Sequence, residues 1–353
     1  MDNLFDLKKL VRPNIQKLTP YHSAREDFEE GLLLDANENS LNAPFPEAEG
    51  LHRYPAPSQQ QLRALIAEWR GVRKENVFVG VGSDEGIDLL FRIFCRPGND
   101  RVITTPPTYG MYKVSANIHD ISVDEVLLAE GDFQPRVNAI LEAVTSNTKM
   151  LFLCSPNNPT GNLLNPDAIT QLVEEFPGIV ILDEAYIDFS KQKSWSPKVV
   201  EYPNLVVLQT MSKSFGLAGI RLGITYASED IISYMMKVKP PYNINALTSR
   251  YAITAFKNMD TIQFKADAIK KERKQLAEKL LELNIVDHVY PSDANFLLAK
   301  MKNARDIYEH LVNRNIIVRY RGDEPLCEDC LRITVGTPDE NETLISALKD
   351  ISL

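Results

Sequence analysis

The sequence predicts an α/β fold, in which a large domain with a mostly parallel sheet flanked by helices precedes a smaller α+β domain. Two observations support this prediction. Short apolar runs alternate with helix-like stretches over residues 75–230, and each run borders a polar turn that contains Gly or Pro. After about residue 260 the pattern changes. Runs rich in Val, Ile and Leu are typical of strands buried on both faces, which occur in parallel sheets covered by helices.

The strands of the large domain are predicted within six segments. These segments are NVFVGVGSDEGIDLLFRIFC, DRVITTPPTYGMY, KMLFLCSPNNPTG, GIVILDEAYIDF, NLVVLQTMSKS and RLGITYAS. In sheets of this class, ligands bind where the strands end. Because a polar cluster follows or closes each of these runs, we expect the functional site at that edge of the sheet.

The sequence after about residue 260 and the first 45 residues indicate two different kinds of structure. The segment FKADAIKKERKQLAEKLLEL is typical of a long amphipathic helix. The segments that follow it are ANFLLAKM, ARDIYEHLVNRN, IIVRY, CLRITVGT and ENETLISALKDI. The first 45 residues are polar and rich in turn formers, which indicates an arm. We therefore predict an arm over residues 1–45 that is part of the small domain, a large domain over 46–258 and a small domain over 259–353.

Composition limits the classes of function. A length of 353 residues exceeds one typical domain of about 100–200 residues. The net charge of −9 gives no reason to expect nucleic acid or an anionic membrane as a partner. Neither a secretory signal nor an apolar run of about 18 residues is evident, so we expect a cytoplasmic protein.

The four cysteines agree with a cytoplasmic location. Cys95 and Cys154 are isolated, and Cys327 and Cys330 form a single CxxC motif. That motif has neither a second cysteine pair nor histidines near it, so no metal site is predicted.

The segment TMSKSFGLAGIRLG, residues 210–223, places Lys213 among small and flexible residues. On this segment alone, Lys213 could be a surface lysine, a positive charge in a phosphate-binding loop, or an amine that forms a Schiff base with a carbonyl cofactor. The third hypothesis requires an electron sink, such as a pyridine ring kept protonated by a carboxylate. Asp183, in VILDEAY, is predicted at the end of a buried strand and could be that carboxylate. By itself it could equally be a helix cap or a paired core carboxylate.

Three further residues could contact the ring of such a cofactor. Asn158 in SPNNPTG and Tyr186 in DEAY could donate hydrogen bonds to a ring hydroxyl oxygen, and Tyr109 in PPTYGMY could cover a ring face. Each has a structural alternative, since Asn158 precedes a proline in a turn and both tyrosines could be packing residues.

A phosphate group could be bound where VGVGSDEGIDLL passes from strand to helix, because backbone N–H groups and the helix dipole face an anion there. Side chains from the Lys213 segment could add a full positive charge and a hydroxyl group. The candidates are Gly82, Ser83, Asp84, Thr210, Ser212 and Arg221. A glycine turn alone is weak evidence, and Ser83 or Asp84 could be a helix cap.

In combination, the order and spacing of these residues resemble the aspartate aminotransferase superfamily of pyridoxal-phosphate enzymes. Asp183 lies thirty residues before Lys213, and Arg221 lies eight after it. The resemblance extends from the arm to CLRITVGT and implies the fold of that superfamily, with a seven-stranded sheet in the large domain. It also implies pyridoxal 5'-phosphate as the cofactor and Lys213 as the residue that binds it covalently and then shuttles a proton.

Nine segments are similar, more narrowly, to the histidinol-phosphate aminotransferase family. They are LTPYHSAR, LDANEN, RYPAPSQQQLR, GSDEGIDLLFRIFC, PPTYGMY, SPNNPTG, DEAY, SKSFGLAGIRLG and LRITVGT. The similarity implies amino-group transfer between L-histidinol phosphate and 2-oxoglutarate, giving imidazole acetol phosphate and L-glutamate, in histidine biosynthesis. It implies a homodimer with shared active sites, in which Tyr54 of the neighbouring subunit contacts the cofactor phosphate. The substrate-binding residues would be Tyr21, Asn37, Arg321 and Arg332.

Other functions remain open at this point. A threonine-phosphate decarboxylase and an aromatic amino-acid aminotransferase share the same fold. A pyridoxal-binding regulator without catalysis need not keep both Lys213 and Asp183. A Rossmann dehydrogenase is disfavoured because GVGSDEG lacks the G-x-G-x-x-G spacing.

Overall fold

The computed structural model describes residues 5–28 and 30–351. Its eleven strands form a seven-stranded and a four-stranded sheet. The strands are β1 (Val77–Val81), β2 (Arg101–Thr104), β3 (Ser122–Glu125), β4 (Thr148–Cys154), β5 (Ile179–Asp183), β6 (Leu205–Thr210), β7 (Leu222–Tyr226), β8 (Val286–Val289), β9 (Phe296–Met301), β10 (Arg319–Tyr320) and β11 (Cys330–Thr334).

The large sheet has the strand order β1-β7-β6-β5-β4-β2-β3. Strand β7 is antiparallel to both of its neighbours, and the pairs from β6 to β3 are all parallel. The prediction of a mostly parallel, seven-stranded sheet is therefore confirmed.

Strand β5 shows why the apolar runs are continuous. Ile179 and Ile181 belong to one hydrophobic core and Val180 and Leu182 to another. Since successive side chains of a strand point to opposite faces, the two cores lie on opposite faces of the sheet. Both faces must be apolar because helices cover both.

Thirteen α-helices occur in the described part of the chain, together with five short 3₁₀ turns. The helices are α1 (Leu7–Leu10), α2 (Pro13–Gln16), α3 (Ala24–Asp27), α4 (Gln60–Arg70), α5 (Gly82–Phe94), α6 (Met111–Ile118), α7 (Val137–Glu142), α8 (Pro166–Glu175), α9 (Glu229–Val238), α10 (Ala246–Phe256), α11 (Met259–Leu281), α12 (Ala304–Asn313) and α13 (Pro338–Lys349). The 3₁₀ turns are Pro46–Ala48, Lys74–Asn76, Ile187–Phe189, Ser196–Val200 and Ala218–Ile220. No helix of the described residues is both long enough and apolar enough to cross a membrane.

The small sheet is antiparallel throughout, with the order β10-β11-β9-β8. Helices α11, α12 and α13 contribute to its hydrophobic core. Within the segment IIVRY, only Arg319 and Tyr320 pair with β11. Strands β3 and β8 were not predicted. Both lie at sheet edges, and their sequences, SVDE and VDHV, mix apolar with polar residues and so contain no apolar run.

Residues 11–15 of the predicted arm pack against a helix of the large sheet. Val11 and Ile15 are buried in the same core as α5, and the Arg12 backbone N–H donates to the Ile93 carbonyl at 2.9 Å. The domain boundaries stay a prediction from the sequence.

Candidate active site

A cavity of about 170 Å³ lies at the carboxyl ends of β4, β5 and β6. Ten of the twelve residues predicted to contact a cofactor line it, so the structure brings together side chains from five separate segments. These ten are Ser83, Asp84, Tyr109, Asn158, Asp183, Tyr186, Thr210, Ser212, Lys213 and Arg221. Gly82 lies beside the cavity, at the first position of α5.

Asp183 is the last residue of β5, and its side chain is buried. The Tyr112 hydroxyl donates to Asp183 Oδ2 at 2.7 Å, and the Ala185 backbone N–H donates to Oδ1 at 3.0 Å. Burial raises the pKa of Asp183 to about 6, although both hydrogen bonds oppose the increase. The carboxylate is therefore held in a defined orientation and is mostly ionised at neutral pH.

Lys213 follows β6 in a turn that neighbouring residues hold in place. The Gly216 N–H donates to the Lys213 carbonyl at 3.0 Å, and the Ser214 hydroxyl donates to Asp188 at 2.6 Å. Burial, followed by the charge of Arg332, lowers the pKa of the Lys213 amine. A lowered pKa increases the fraction of neutral amine, which is the nucleophilic form.

The start of α5 forms a concave anion site with Arg221. The Gly82 N–H donates to the Arg221 carbonyl at 2.8 Å, and a Cβ atom at Gly82 would lie 2.7 Å from Arg221 Nη2. Arg221 has a left-handed backbone, φ 55°, and its guanidinium lies 3.5 Å from Asp84 Oδ2 and from Ser212 Oγ. Because the first N–H groups of a helix lack intrahelical acceptors, this cradle suits a phosphate.

Gly223 on β7 makes the cradle possible. A Cβ atom at this position would lie 2.1 Å from the Gly82 carbonyl carbon and 2.2 Å from the Ser83 nitrogen. Only a residue without a side chain allows β7 to approach the start of α5 so closely.

The small sheet contacts the cavity residue Asn158 through Arg332, which does not itself line the cavity. Arg332 on β11 donates from Nη1 to Asn158 Oδ1 at 2.5 Å. The amide NH₂ of Asn158 is therefore the group left to donate to a ligand. Burial raises the pKa of Tyr186, so its hydroxyl keeps its proton and can donate as well.

The other predicted residues lie outside this cavity in the single chain. Tyr54 is 49% exposed and stacks on Tyr242, with ring centroids 4.4 Å apart. Tyr21 is 71% exposed and lines a different cavity, and Asn37 is exposed. Arg321 donates from Nη1 to Glu324 Oε1 at 2.5 Å, so its charge is already paired.

Several residues at or near the site were not predicted, and three of them carry polar or ionisable side chains. Cys154 ends β4 and lines the cavity. Tyr112 contacts Asp183, and its closeness in sequence to Tyr109, three residues before it, was the available signal. Arg319 is directly opposite Arg332 in the β10–β11 pair, so the two side chains extend from the same face of the sheet.

The arrangement supplies the parts needed for covalent catalysis with a phosphorylated carbonyl compound. It combines an amine of lowered pKa, a buried carboxylate and an anion cradle in one cavity. Among the described residues, no group of three or more His, Cys, Asp or Glu side chains is arranged to hold a metal ion.

Comparison with known proteins assigns the family. The chain matches the model of the family "Aminotransferase class I and II" over residues 27–348. It is 49% identical over 352 residues to a histidinol-phosphate aminotransferase of Flavobacterium johnsoniae, an alignment that covers 98% of this chain and 99% of that one.

Solved structures of related proteins have the same fold. The histidinol-phosphate aminotransferase of Clostridium acetobutylicum matches with a TM-score of 0.78 and 25% identity, covering 85% of this chain and 90% of the other. The enzyme of that name from Sinorhizobium meliloti, in complex with pyridoxal-5'-phosphate, matches with a TM-score of 0.79 and 22% identity over 96% of both chains. The chain belongs to the aminotransferase class I and II family.

Proposed function

We propose that this protein is a pyridoxal-phosphate-dependent histidinol-phosphate aminotransferase, which exchanges an amino group between L-histidinol phosphate and 2-oxoglutarate. The observation that carries the proposal is the placement of Lys213, Asp183 and Arg221 around one cavity. The relative at 49% identity over nearly the full length bears the same name, which supports this choice of substrate. A cytoplasmic location stays a prediction from the sequence.

The cradle fits the phosphate of the cofactor. Because Gly82 has no side chain, the Arg221 guanidinium can lie against the start of α5, where a Cβ atom would come within 2.7 Å of Nη2. Arg221 would bind the phosphate with its charge, Ser212 and Thr210 with hydroxyl groups, and the N–H groups of the first turn of α5 with the helix dipole behind them. The hydrogen bond from Arg221 to Ser212 is long, at 3.5 Å. Each group can therefore give it up and bind a phosphate oxygen instead.

When bound, pyridoxal phosphate supplies an electron sink that stabilises negative charge at Cα of the amino substrate. Asp183 would accept a hydrogen bond from the ring nitrogen and so keep it protonated. Lys213 Nζ removes the proton from Cα of the amino substrate and returns one to Cα of the oxo substrate. Both roles agree with the protonation states, because Asp183 is mostly ionised at pH 7 and the pKa of Lys213 is lowered.

Neighbouring residues orient the ring. Tyr109 would cover one face, while Asn158 and Tyr186 would donate to the ring hydroxyl oxygen through groups that have no other acceptor among the described residues of the cavity. The Arg332 contact to the Asn158 oxygen orients this amide, with its NH₂ group toward the cavity.

Arginines of the small sheet bind the substrate anions. Arg332 contributes one N–H to Asn158, and its remaining donors suit the carboxylate of glutamate or the phosphate of histidinol phosphate. Arg321 donates from Nη1 to Glu324, so it would contribute to anion binding through its other nitrogens or after it releases Glu324. Tyr21 and Asn37 lie on the arm and would reach a substrate from there.

We also infer a homodimer with shared active sites, in which Tyr54 binds the cofactor phosphate of the partner. Tyr54 is half exposed and lies outside its own chain's cavity. Several large apolar side chains of the arm region are exposed in the single chain, as expected if the arm packs against another chain. They are Phe28, Leu32, Leu34, Leu41 and Phe45.

The proposal is tested with the purified protein reconstituted with pyridoxal phosphate. We expect visible absorbance from the bound cofactor, and turnover of histidinol phosphate with 2-oxoglutarate far above that of threonine phosphate or phenylalanine. Release of carbon dioxide from threonine phosphate would identify the decarboxylase instead, and preferred turnover of phenylalanine the aromatic aminotransferase. A protein that stays colourless with added cofactor would refute the cofactor assignment and the function together.

A further inference from the structure

Tyr112 lies in the first turn of α6 and is completely buried. Its hydroxyl donates to Asp183 Oδ2 at 2.7 Å, while the second oxygen of that carboxylate accepts the Ala185 N–H at 3.0 Å. Both carboxylate oxygens are therefore restrained, one by a side chain of α6 and the other by the backbone after β5. Of these two donors, only the hydroxyl can be removed by a side-chain substitution.

The ring of Tyr112 is itself held on two sides. It stacks on Phe152 with centroids 4.8 Å apart and an interplanar angle of 20°, and it meets Tyr109 edge to face at 5.5 Å and 84°. Packing of this kind fixes the direction of the hydroxyl group. The short segment from 109 to 112, which leads into α6, thus holds both Tyr109, which lines the cavity, and the residue that restrains Asp183.

We propose that Tyr112 is a positioning residue of this enzyme, which holds the Asp183 carboxylate in one orientation and favours its ionised form, so that the carboxylate can accept from the cofactor's ring nitrogen. The proposal rests on the proposed function of the site. Tyr112 acts through Asp183 and does not line the cavity.

The charges around Asp183 determine the direction of the effect. Burial raises the pKa of Asp183 and the nearby Asp84 raises it further, whereas the Tyr112 hydrogen bond, the Ala185 N–H and Lys213 lower it. The titratable groups that interact with this carboxylate from neighbouring elements are Asp84, Tyr109, Tyr112, Cys154, Tyr186 and Lys213. Burial also raises the pKa of Tyr112 well above 10, so this hydroxyl donates throughout the working pH range.

The test begins with the cofactor-free protein and the substitution Tyr112→Phe, which removes the hydroxyl and keeps the ring. The Asp183 carboxyl is titrated by carbon NMR and assigned by its loss in Asp183→Asn. We expect its pKa to rise by about one to two pH units, because a hydrogen bond to the charged form is lost. An unchanged pKa would overturn the proposal, and this experiment does not depend on cofactor binding.

The second measurement is cofactor affinity at two pH values. Because the ionised carboxylate binds the protonated ring, Tyr112→Phe should weaken affinity about fivefold to tenfold at pH 6.5 and less than about twofold at pH 8.5. A loss of equal size at both pH values would indicate a merely structural role and refute the proposal. If the parent protein failed to bind pyridoxal phosphate, the proposed function would fail while the NMR titration still decided the role of Tyr112.

Two controls complete the design. Tyr226→Phe removes another buried tyrosine hydroxyl, from a side chain that packs in the core on the opposite face of the sheet, and should leave both measurements unchanged. In a double-mutant cycle, Tyr112→Phe added to Asp183→Asn should cost no further affinity, because Tyr112 acts only through Asp183. If the losses of affinity from the two substitutions were additive, Tyr112 would not act through Asp183.

Discussion

At the scale of single residues, the amine of Lys213 combines two functions that no neighbouring group can replace. It is both nucleophile and proton carrier, so Lys213→Ala should lower kcat by more than about 10²-fold with the fold retained. Lys213→Arg should be equally inactive, since it keeps the charge but cannot form the covalent bond or release a proton at neutral pH. Steady-state kinetics and circular dichroism measure this, with the exposed Lys193→Ala as the control. Turnover of Lys213→Ala within tenfold of the parent would contradict the assignment.

Asp183 is needed for the proposed chemistry, but its ionised carboxylate lowers the stability of the cofactor-free fold. Its pKa in the folded protein is about 6, above the value of 3.8 for a free aspartate, so ionisation destabilises the cofactor-free fold above pH 6 and has no effect below about pH 4. Asp183→Asn should therefore stabilise the cofactor-free protein by up to about 3 kcal/mol at pH 8, with the gain disappearing toward pH 4.

Urea unfolding at the two pH values measures this difference. The exposed Asp287→Asn serves as the matched control, because it removes an aspartate charge without changing a buried site. A loss of stability for Asp183→Asn at pH 8 would show that the carboxylate stabilises the fold, which is contrary to the prediction.

At the scale of secondary structure elements, the contact between β7 and the start of α5 sets the shape of the anion cradle. Gly223→Ala would place a methyl group 2.1 Å from the Gly82 carbonyl carbon, so the strand and helix must separate. We expect a loss of about 1–3 kcal/mol of stability and about tenfold or more weaker cofactor affinity.

Gly219→Ala is the matched control for this contact, because a Cβ atom at Gly219 meets nothing within 4 Å. Equilibrium dialysis with pyridoxal phosphate compares the two variants. Equal affinities would mean that the spacing between β7 and α5 does not determine phosphate binding.

At the scale of the whole molecule, the shared active site makes a quantitative prediction. Each shared site takes Lys213 from one subunit and Tyr54 from the other. A heterodimer of Lys213→Ala with Tyr54→Ala therefore has one site with both substitutions and one intact site. After random exchange in an equal mixture, about a quarter of the parent activity should return, provided that each variant alone is strongly impaired.

A mixture of Lys213→Ala with Asp183→Asn is the control for subunit exchange. Both of these residues line the cavity of their own chain, so no heterodimer of this pair has an intact site and no activity should return. Exchange verified by mass spectrometry without recovery in the Tyr54 mixture would place Tyr54 in its own subunit's structure.

Much of the fold and several site residues follow from the sequence by itself, because they depend on neighbours along the chain. Strand β5 is apolar at every position before Asp183, as a strand buried on both faces must be. The glycines where β1 meets α5 similarly predict a strand-to-helix turn that can face an anion. Edge strands such as β3 lack this pattern, since one side of an edge strand needs no apolar cover.

Contacts between distant residues were decided only by the tertiary structure. Tyr112 meets Asp183 across 71 residues of sequence, and Arg332 meets Asn158 across 174. Each contact depends on how a helix crosses the sheet or how the two sheets face each other. The sequence therefore determined which chemical groups are available, whereas packing determined their partners, and hence which donors of Asn158 and Arg321 are left for a ligand. Local patterns carry no information about register or crossing geometry, because many arrangements of the same elements bury the same apolar residues.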